Sequence, residues 1–408
     1  MASPSEHQCF FSPLRRMYNG PQENSTVCLS GGSLLLQLDF APASQACLAR
    51  SLSSFHKGEP MKFGVLYAFR NPPQWHQPYP DFYRAQFEQM QAVEQSGYDV
   101  IWVTEHHFID DGYLPSLLPV AAVIGDRTKR VQIGTYVLLL PLHNPLRVAE
   151  DAAVVDIISN GRLILGLGQG YRLEEFEGFN INRDQRPRMT EEGIEIIQGA
   201  WTQDNFSYSG EHYQVKNITL TPKSVQKPHP PLGIGARGLK PTRRAAKYGC
   251  HLMGGALGQY DIYVNALKEY GRNPKDYDVM NLRPIYVHRD PEQAWKEAGE
   301  HVFYLFKNYG KWFGAAADLK GDTQLGAMNV ASYDEIRNTD FWRNIVIAGS
   351  PEQVTERLLK EHESAPCDHL LFFVLPGLAQ DKMLQSIRLF AEQVMPYLRP
   401  LKTPAKAA

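Results

Sequence analysis

Gly97-Tyr98-Asp99-Val100-Ile101-Trp102-Val103-Thr104-Glu105-His106-His107-Phe108 is an apolar run that stops abruptly in Thr-Glu-His-His-Phe. Val100 to Val103 has the unbroken hydrophobicity of a strand buried on both faces, as a parallel sheet covered by helices requires. In α/β proteins of this kind, ligands bind at the carboxyl ends of the strands. An acid beside two imidazoles at such an end is an arrangement suited to moving protons.

Outward from this run, short apolar segments alternate with longer helical patterns. Strands are expected at 61–67, 99–104, 131–137, 162–167, 232–235, 250–253, 282–287 and 368–375. Helices are expected near 80–96, 116–129, 146–159, 188–201, 240–248, 259–271, 291–309, 350–363 and 380–398. A strand followed each time by a helix is the pattern of a (β/α)8 TIM barrel with insertions, although a doubly wound open sheet alternates in the same way. Two stretches interrupt the rhythm. Residues 204–231, with Tyr208-Ser209-Gly210-Glu211-His212-Tyr213 followed by four prolines, read as a β-hairpin ahead of the fifth strand. Residues 310–345, with Gly310, Gly314, Gly321 and Gly326 among Trp312, Phe313 and Trp342, read as a long loop, either a lid over the barrel mouth or a surface insertion.

Composition narrows the function. The chain has 408 residues, 43% hydrophobic and 21% charged, enough for a substantial core. A net charge of -2 without clustered Lys and Arg gives no footprint for nucleic acid or anionic lipid, so a small-molecule substrate is the expectation. None of the five cysteines forms a CxxC pair or a zinc spacing, which fits a reducing, cytoplasmic setting. No apolar run approaches the roughly 18–20 residues of a membrane span. Residues 1–60 differ from the rest, being rich in Ser, Leu, Ala, Gly and Cys without sustained periodicity, and are expected to be a disordered extension. A targeting peptide is the alternative, opposed by Glu6 and Glu23 and by the lack of a basic segment leading into an apolar one. The main domain is expected over 61–400, with 401–408 as a tail.

Thr104-Glu105-His106-His107-Phe108 also resembles the motif of the luciferase-like flavin-dependent monooxygenases. The likeness continues through Gly134-Thr135, Leu140-Pro141-Leu142-His143-Asn144-Pro145-Leu146-Arg147-Val148-Ala149-Glu150-Asp151, Ser159-Asn160-Gly161-Arg162 and Gly166-Leu167-Gly168-Gln169-Gly170, and closes with Val394-Met395-Pro396-Tyr397-Leu398. The resemblance strengthens the barrel. It implies a two-component monooxygenase that takes reduced FMN from a separate NAD(P)H-dependent reductase and O2 from solution, and oxygenates an organic substrate through a C4a-peroxyflavin. Other branches of the family use a deazaflavin for hydride transfer, and a non-catalytic flavin-binding protein is a further alternative. A homodimer is the implied assembly.

The candidate residues divide by where their reading comes from. Adjacent residues in extended backbone point to opposite sides, so only one of His106 and His107 can face the barrel axis. The resemblance makes it His106, as the proton shuttle beside the flavin, and leaves His107 structural. Neighbouring imidazoles cannot easily share one ion and no HExxH is present, so no metal is expected. The alternating glycines around Gly168 and Gly170 allow a flat or charged group close to the backbone. The family's namesake has a cysteine where Gly168 stands, which puts light emission in doubt. The family also implies a non-proline cis peptide at Tyr136–Val137 beneath the flavin. Gly233-Ile234-Gly235-Ala236-Arg237-Gly238 matches GxGxxG but lacks a convincing ribose partner, and inside a barrel it is one phosphate site at a helix start. The resemblance assigns that site to FMN, through the backbone of Ala236, Arg237 and Gly238 with the Arg237 guanidinium and Thr242 hydroxyl as side-chain donors. Asn144 and Arg237 depart from the family pattern, which has a histidine and an acid there. Glu150 and Asp151 read as architectural, Val148, Ala152, Val155 and Ile158 as the face covering the barrel, and Glu191, Glu192, Glu195, Arg186 and Arg188 as a solvated helix face, with the two arginines as an alternative phosphate entry.

Overall fold

The computed structural model describes residues 60–254, 258–316 and 330–407; the expected extension over 1–60 falls, but for Pro60, outside them. Strands β1 (Lys62–Tyr67), β2 (Val100–Val103), β3 (Gln132–Thr135), β4 (Leu163–Gly168), β5 (Leu232–Gly235), β6 (His251–Met253), β7 (Val279–Arg283) and β8 (His369–Phe373) pair in parallel, each with the next. β8 pairs back onto β1, with Lys62 opposite His369, so the sheet closes into a barrel and the open-sheet alternative is excluded.

The strands alternate in the direction they face, and this explains their unbroken hydrophobicity. On β2, Ile101 and Val103 pack outward under the helices, while Val100 and Trp102 point into the barrel with Leu66, Ile164, Met253, Met280 and Leu371. Trp102 dominates that interior: a Cβ on Gly64 or Gly134, on the two flanking strands, would collide with its indole. Helices α1 (Tyr79–Gln95), α2 (Leu117–Arg127), α3 (Pro145–Ile158), α4 (Arg186–Thr202), α5 (Leu239–Tyr248), α6 (Gln259–Glu269), α7 (Pro291–Ala315), α8 (Pro351–Ser364) and α9 (Gln380–Gln393) follow the strands. α3 shows the local logic. The Asn144 side chain accepts from Leu146 and Arg147 N–H, Pro145 occupies the first turn, and Asn160 and Gly161 end the helix at positive φ.

The structure differs from the sequence expectations in four places. The seventh strand is Val279–Arg283, whereas Ile285–Val287 leaves the barrel and pairs in parallel with Ile347–Gly349. Pro284 between them lacks the N–H that a continued ladder needs. The chain from 310 is not a loop at first: α7 runs to Ala315 through Gly310 and Gly314 because Tyr309, Trp312 and Phe313 form one face at i, i+3 and i+4. Residues 317–329 lie outside the described residues, and Trp342 packs on Phe306 with ring centroids 4.8 Å apart, away from the mouth. Ile158 does not cover the barrel; with Val154 and Ile157 it is exposed, while Val148, Ala152 and Val155 are buried as expected. Finally, Glu192 is fully buried and accepts backbone N–H bonds from Glu211, His212 and Tyr213, anchoring the expected hairpin, Phe206–Ser209 with Gln214–Ile218. Arg188 pairs with Glu192 and the Arg186 guanidinium donates to the Arg183 carbonyl, so α4 serves the hairpin.

At the amino ends of the strands, Asp278 accepts from His369 Nε2 at 2.9 Å and pairs with Lys406 of the C-terminal turn. Lys406 also lies 3.4 Å from Asp368, whose other oxygen accepts from Val279 N–H. The tail is thus tied to the bottom of the barrel, opposite the carboxyl ends.

Candidate active site

β2 ends at Val103, and the next four residues enter the mouth as buried polar groups: Thr104, Glu105, His106 and His107. The two imidazoles turn to different neighbours. The His106 ring lies among Tyr113, Tyr171 and Trp312, at centroid separations of 4.9, 5.5 and 5.1 Å. Its Nδ1 is 2.7 Å from Glu175 Oε1 and its Nε2 is 3.3 Å from the Tyr171 hydroxyl. The same Glu175 oxygen accepts the His107 backbone N–H at 3.0 Å and Arg172 Nη1 at 3.3 Å. Burial pushes the Glu175 carboxyl up, but the His106 hydrogen bond and charge, the His107 amide and the Arg172 cation outweigh it and hold the carboxyl below its ordinary range. An ionised Glu175 fixes the Nδ1–H tautomer of His106 and leaves Nε2 as the nitrogen that can take and return a proton.

His107 turns away from His106 toward Glu105. Its Nε2 and the His143 Nε2 both reach Glu105 Oε1, at 2.6 and 2.7 Å, while Glu105 Oε2 accepts the Leu139 N–H. These bonds overcome the burial that would raise the Glu105 carboxyl and lower it to about 2. Glu105, His107 and His143 are close enough to hold a cation. The spacing argument from adjacent imidazoles did not foresee that grouping, because His143 arrives from beyond β3. At hydrogen-bond length on one shared oxygen, the two imidazoles clamp the carboxylate to the segment after β3.

The cofactor candidates lie on the next strand ends, beginning with β3, which pairs with β2. The Tyr136–Val137 peptide is cis, as the family resemblance implied. Val137 faces Gly168 and Gly235, and a Cβ on Gly168 would strike its side chain. The Tyr136 hydroxyl and both polar atoms of the Gln169 amide are buried without a protein partner. A glycine-lined backbone next to unmet donors and acceptors fits a flat, polar-edged ring system such as a flavin. Gly170, at positive φ, turns the chain toward Tyr171 and the short helix Leu173–Gly178 that carries Glu175. At the end of β5, Ala236 is buried, and Arg237 is exposed with its guanidinium 4.7 Å from the Phe313 ring centroid. Gly238, at φ 103°, leads into α5. Thr242 departs from expectation: its hydroxyl donates to the Gly238 carbonyl at 2.8 Å inside the helix and accepts from Gln259, so it has no proton left for a phosphate.

α7 roofs this mouth with Tyr309, Trp312 and Phe313. Tyr113 and Tyr171 face the site as well, whereas Tyr67 and Trp102 are core. Sequence reasoning missed Glu175, Arg172, His143 and Arg70. Glu175 follows the glycine run by five residues, and an acid close to a strand end was the one signal for it; nothing in the chain paired it with His106.

The sequence model of the luciferase-like monooxygenase family matches residues 61–367. Among curated relatives, the chain is 28% identical to the flavin-dependent trigonelline monooxygenase, oxygenase component, of Acinetobacter baylyi, over 80% of this chain and 92% of that one. It is 27% identical to the F420-dependent glucose-6-phosphate dehydrogenase of Amycolatopsis mediterranei, over 76% and 92%. Among solved structures, monooxygenase RslO1 from Streptomyces bottropensis shares the fold at a TM-score of 0.71 and 21% identity, over 82% of this chain and 99% of that one. No helix among the described residues is long and apolar enough to cross a membrane.

Proposed function

The chain belongs to the luciferase-like monooxygenase family, a family of flavin-dependent oxidoreductases, and on that premise we propose that it is the oxygenase of a two-component FMN monooxygenase. The observation that carries this reading is the His106–Glu175 pair set in an aromatic mouth at the strand ends that neighbour the Tyr136–Val137 and Gly168 cradle. The cradle, with the Gln169 amide and the backbone of Ala236, Arg237 and Gly238, would hold the flavin. Reduced FMN, when bound, supplies the electrons that activate O2. The chain's own residues do the rest. Tyr309, Trp312 and Phe313 exclude water, Glu175 orients His106, and His106 Nε2 receives and returns the proton that accompanies oxygen transfer.

A separate NAD(P)H-dependent reductase is part of the reading, as are cytoplasmic placement and a homodimer. The exposed Val154, Ile157 and Ile158 on α3 support the dimer. The deazaflavin alternative rests on the 27% identical dehydrogenase and differs in one observable, because hydride transfer proceeds without O2. The test is to bind chemically reduced FMN under argon, add O2, and follow the flavin absorbance by stopped flow. The reading expects reoxidation through a transient species that outlives the one in free solution, and a shorter transient in His106→Ala. Reoxidation identical to that of free FMN would reject it in favour of the deazaflavin enzyme.

A further inference from the structure

Arg70 follows β1 into the mouth, and its environment is unusual for a cation. Its side chain is 1% exposed, and its Nε donates to Asp111 Oδ2 at 2.6 Å. Asp111 is then fully engaged: Oδ2 also accepts the Tyr304 hydroxyl at 2.9 Å and Oδ1 the Tyr113 N–H at 3.2 Å. Both terminal nitrogens of Arg70, Nη1 and Nη2, are buried without a well-formed hydrogen bond, the Tyr304 hydroxyl being the polar group that also approaches the guanidinium. They carry four N–H groups of a rigid planar fork, the geometry that matches the two oxygens of a carboxylate.

The fork is also next to the reacting end of the site. The guanidinium lies 5.4 Å from the centroids of both Tyr113 and Trp312 and 5.0 Å from that of Tyr304. Tyr113 and Trp312 are among the rings that pack on His106. A second buried cation, Arg172, lies 5.0 Å from the Trp312 centroid and leaves its Nε without a partner. Tyr113 and Trp312 thus connect the guanidinium to the His106 imidazole.

We propose that the mouth takes an organic carboxylate whose two oxygens dock on Arg70 Nη1 and Nη2, with its apolar body against Tyr113, Tyr309 and Trp312. This rests on the reading of the mouth as the oxidising site and names the class of its substrate. The cofactor phosphate is the other oxyanion in the system, and its proposed place at the end of β5 is separate from β1.

The test is calorimetric titration of the full chain with benzoate and hexanoate, against benzamide and hexanamide as uncharged equals, with FMN titrated in parallel. Arg70→Met removes the fork. Arg70→Lys keeps a cation against Asp111, guarding against loss of fold in the first variant, but cannot offer the paired donors. The expected result is that at least one acid binds tenfold or more tighter than its amide. Arg70→Lys should lose about tenfold of that affinity, Arg70→Met should abolish the preference, and FMN affinity should hold in both. Acid and amide binding alike, or an acid preference unchanged in both variants, overturns the proposal and makes Arg70 an anchor for α7. A preference that follows Arg70 in a chain that binds no FMN supports the anion site and rejects the flavin reading. Loss of FMN affinity in Arg70→Lys would place the cofactor phosphate on the fork and overturn the substrate assignment.

Discussion

Replacing Glu105 by Gln removes one charge and almost no volume, and the structure states what that charge is worth. The Glu105 carboxyl is 2% exposed and accepts His107, His143 and the Leu139 amide. In the fold it titrates at about 2, against 4.5 ordinarily. With each pH unit of displacement worth about 1.4 kcal/mol, its ionised form stabilises the fold by about 3 kcal/mol at neutral pH. The folded value is depressed, so this stability is fully present above the unfolded value near 4.5 and is lost as pH falls toward 2. Glu105→Gln should therefore cost about 3 kcal/mol at pH 7, and the gap between wild type and variant should shrink steadily below about pH 4.5. The assay is urea unfolding of both proteins at several pH values between neutral and about 3. Taking the difference cancels Glu175, Asp278 and every other acid common to both. A gap that stays constant with pH would refute the reasoning, because the clamp would then owe its stability to shape and not to an ionised carboxylate.

Glu175→Gln should lower turnover by about 10- to 100-fold through loss of a charge-assisted hydrogen bond, and 15N NMR should show His106 no longer locked in its Nδ1–H tautomer; an unchanged tautomer would dismiss Glu175 as its positioning group. Gly168→Ala places a methyl group against Val137, so FMN affinity should drop at least tenfold alongside a lowered melting temperature from the forced shift of Val137, and retained affinity would move the flavin elsewhere. Lys406→Ala leaves Asp278 and Asp368 without their shared cation. The fold should lose about 3 kcal/mol, measured by denaturant midpoint, whereas an unchanged midpoint would show the C-terminal turn to be ornamental to stability.

The alternation of apolar runs and helical patterns located each barrel strand to within a few residues, because burial on both faces leaves a continuous hydrophobic signature that needs no knowledge of neighbours. Only at the seventh strand did that signature mislead, where the run crosses Pro284 into a different pairing. The family motif likewise carried His106 and the Tyr136–Val137 peptide, since both lie in contiguous sequence. The alternation alone did not distinguish a closed from an open sheet; the family resemblance favoured the barrel, and the β8 to β1 pairing shows it. Nor were the partners of the motif residues. Glu175 follows β4 and reaches back 69 positions to His106, His143 comes from beyond β3 to Glu105, and Arg70, Asp111 and Trp312 meet from three separate segments. Sequence by itself determined which side chains stand at strand ends, since local periodicity fixes that. Only the closed barrel decided which of them touch, because closure brings the loops of distant strands to one mouth, where charge and burial set what each group can do.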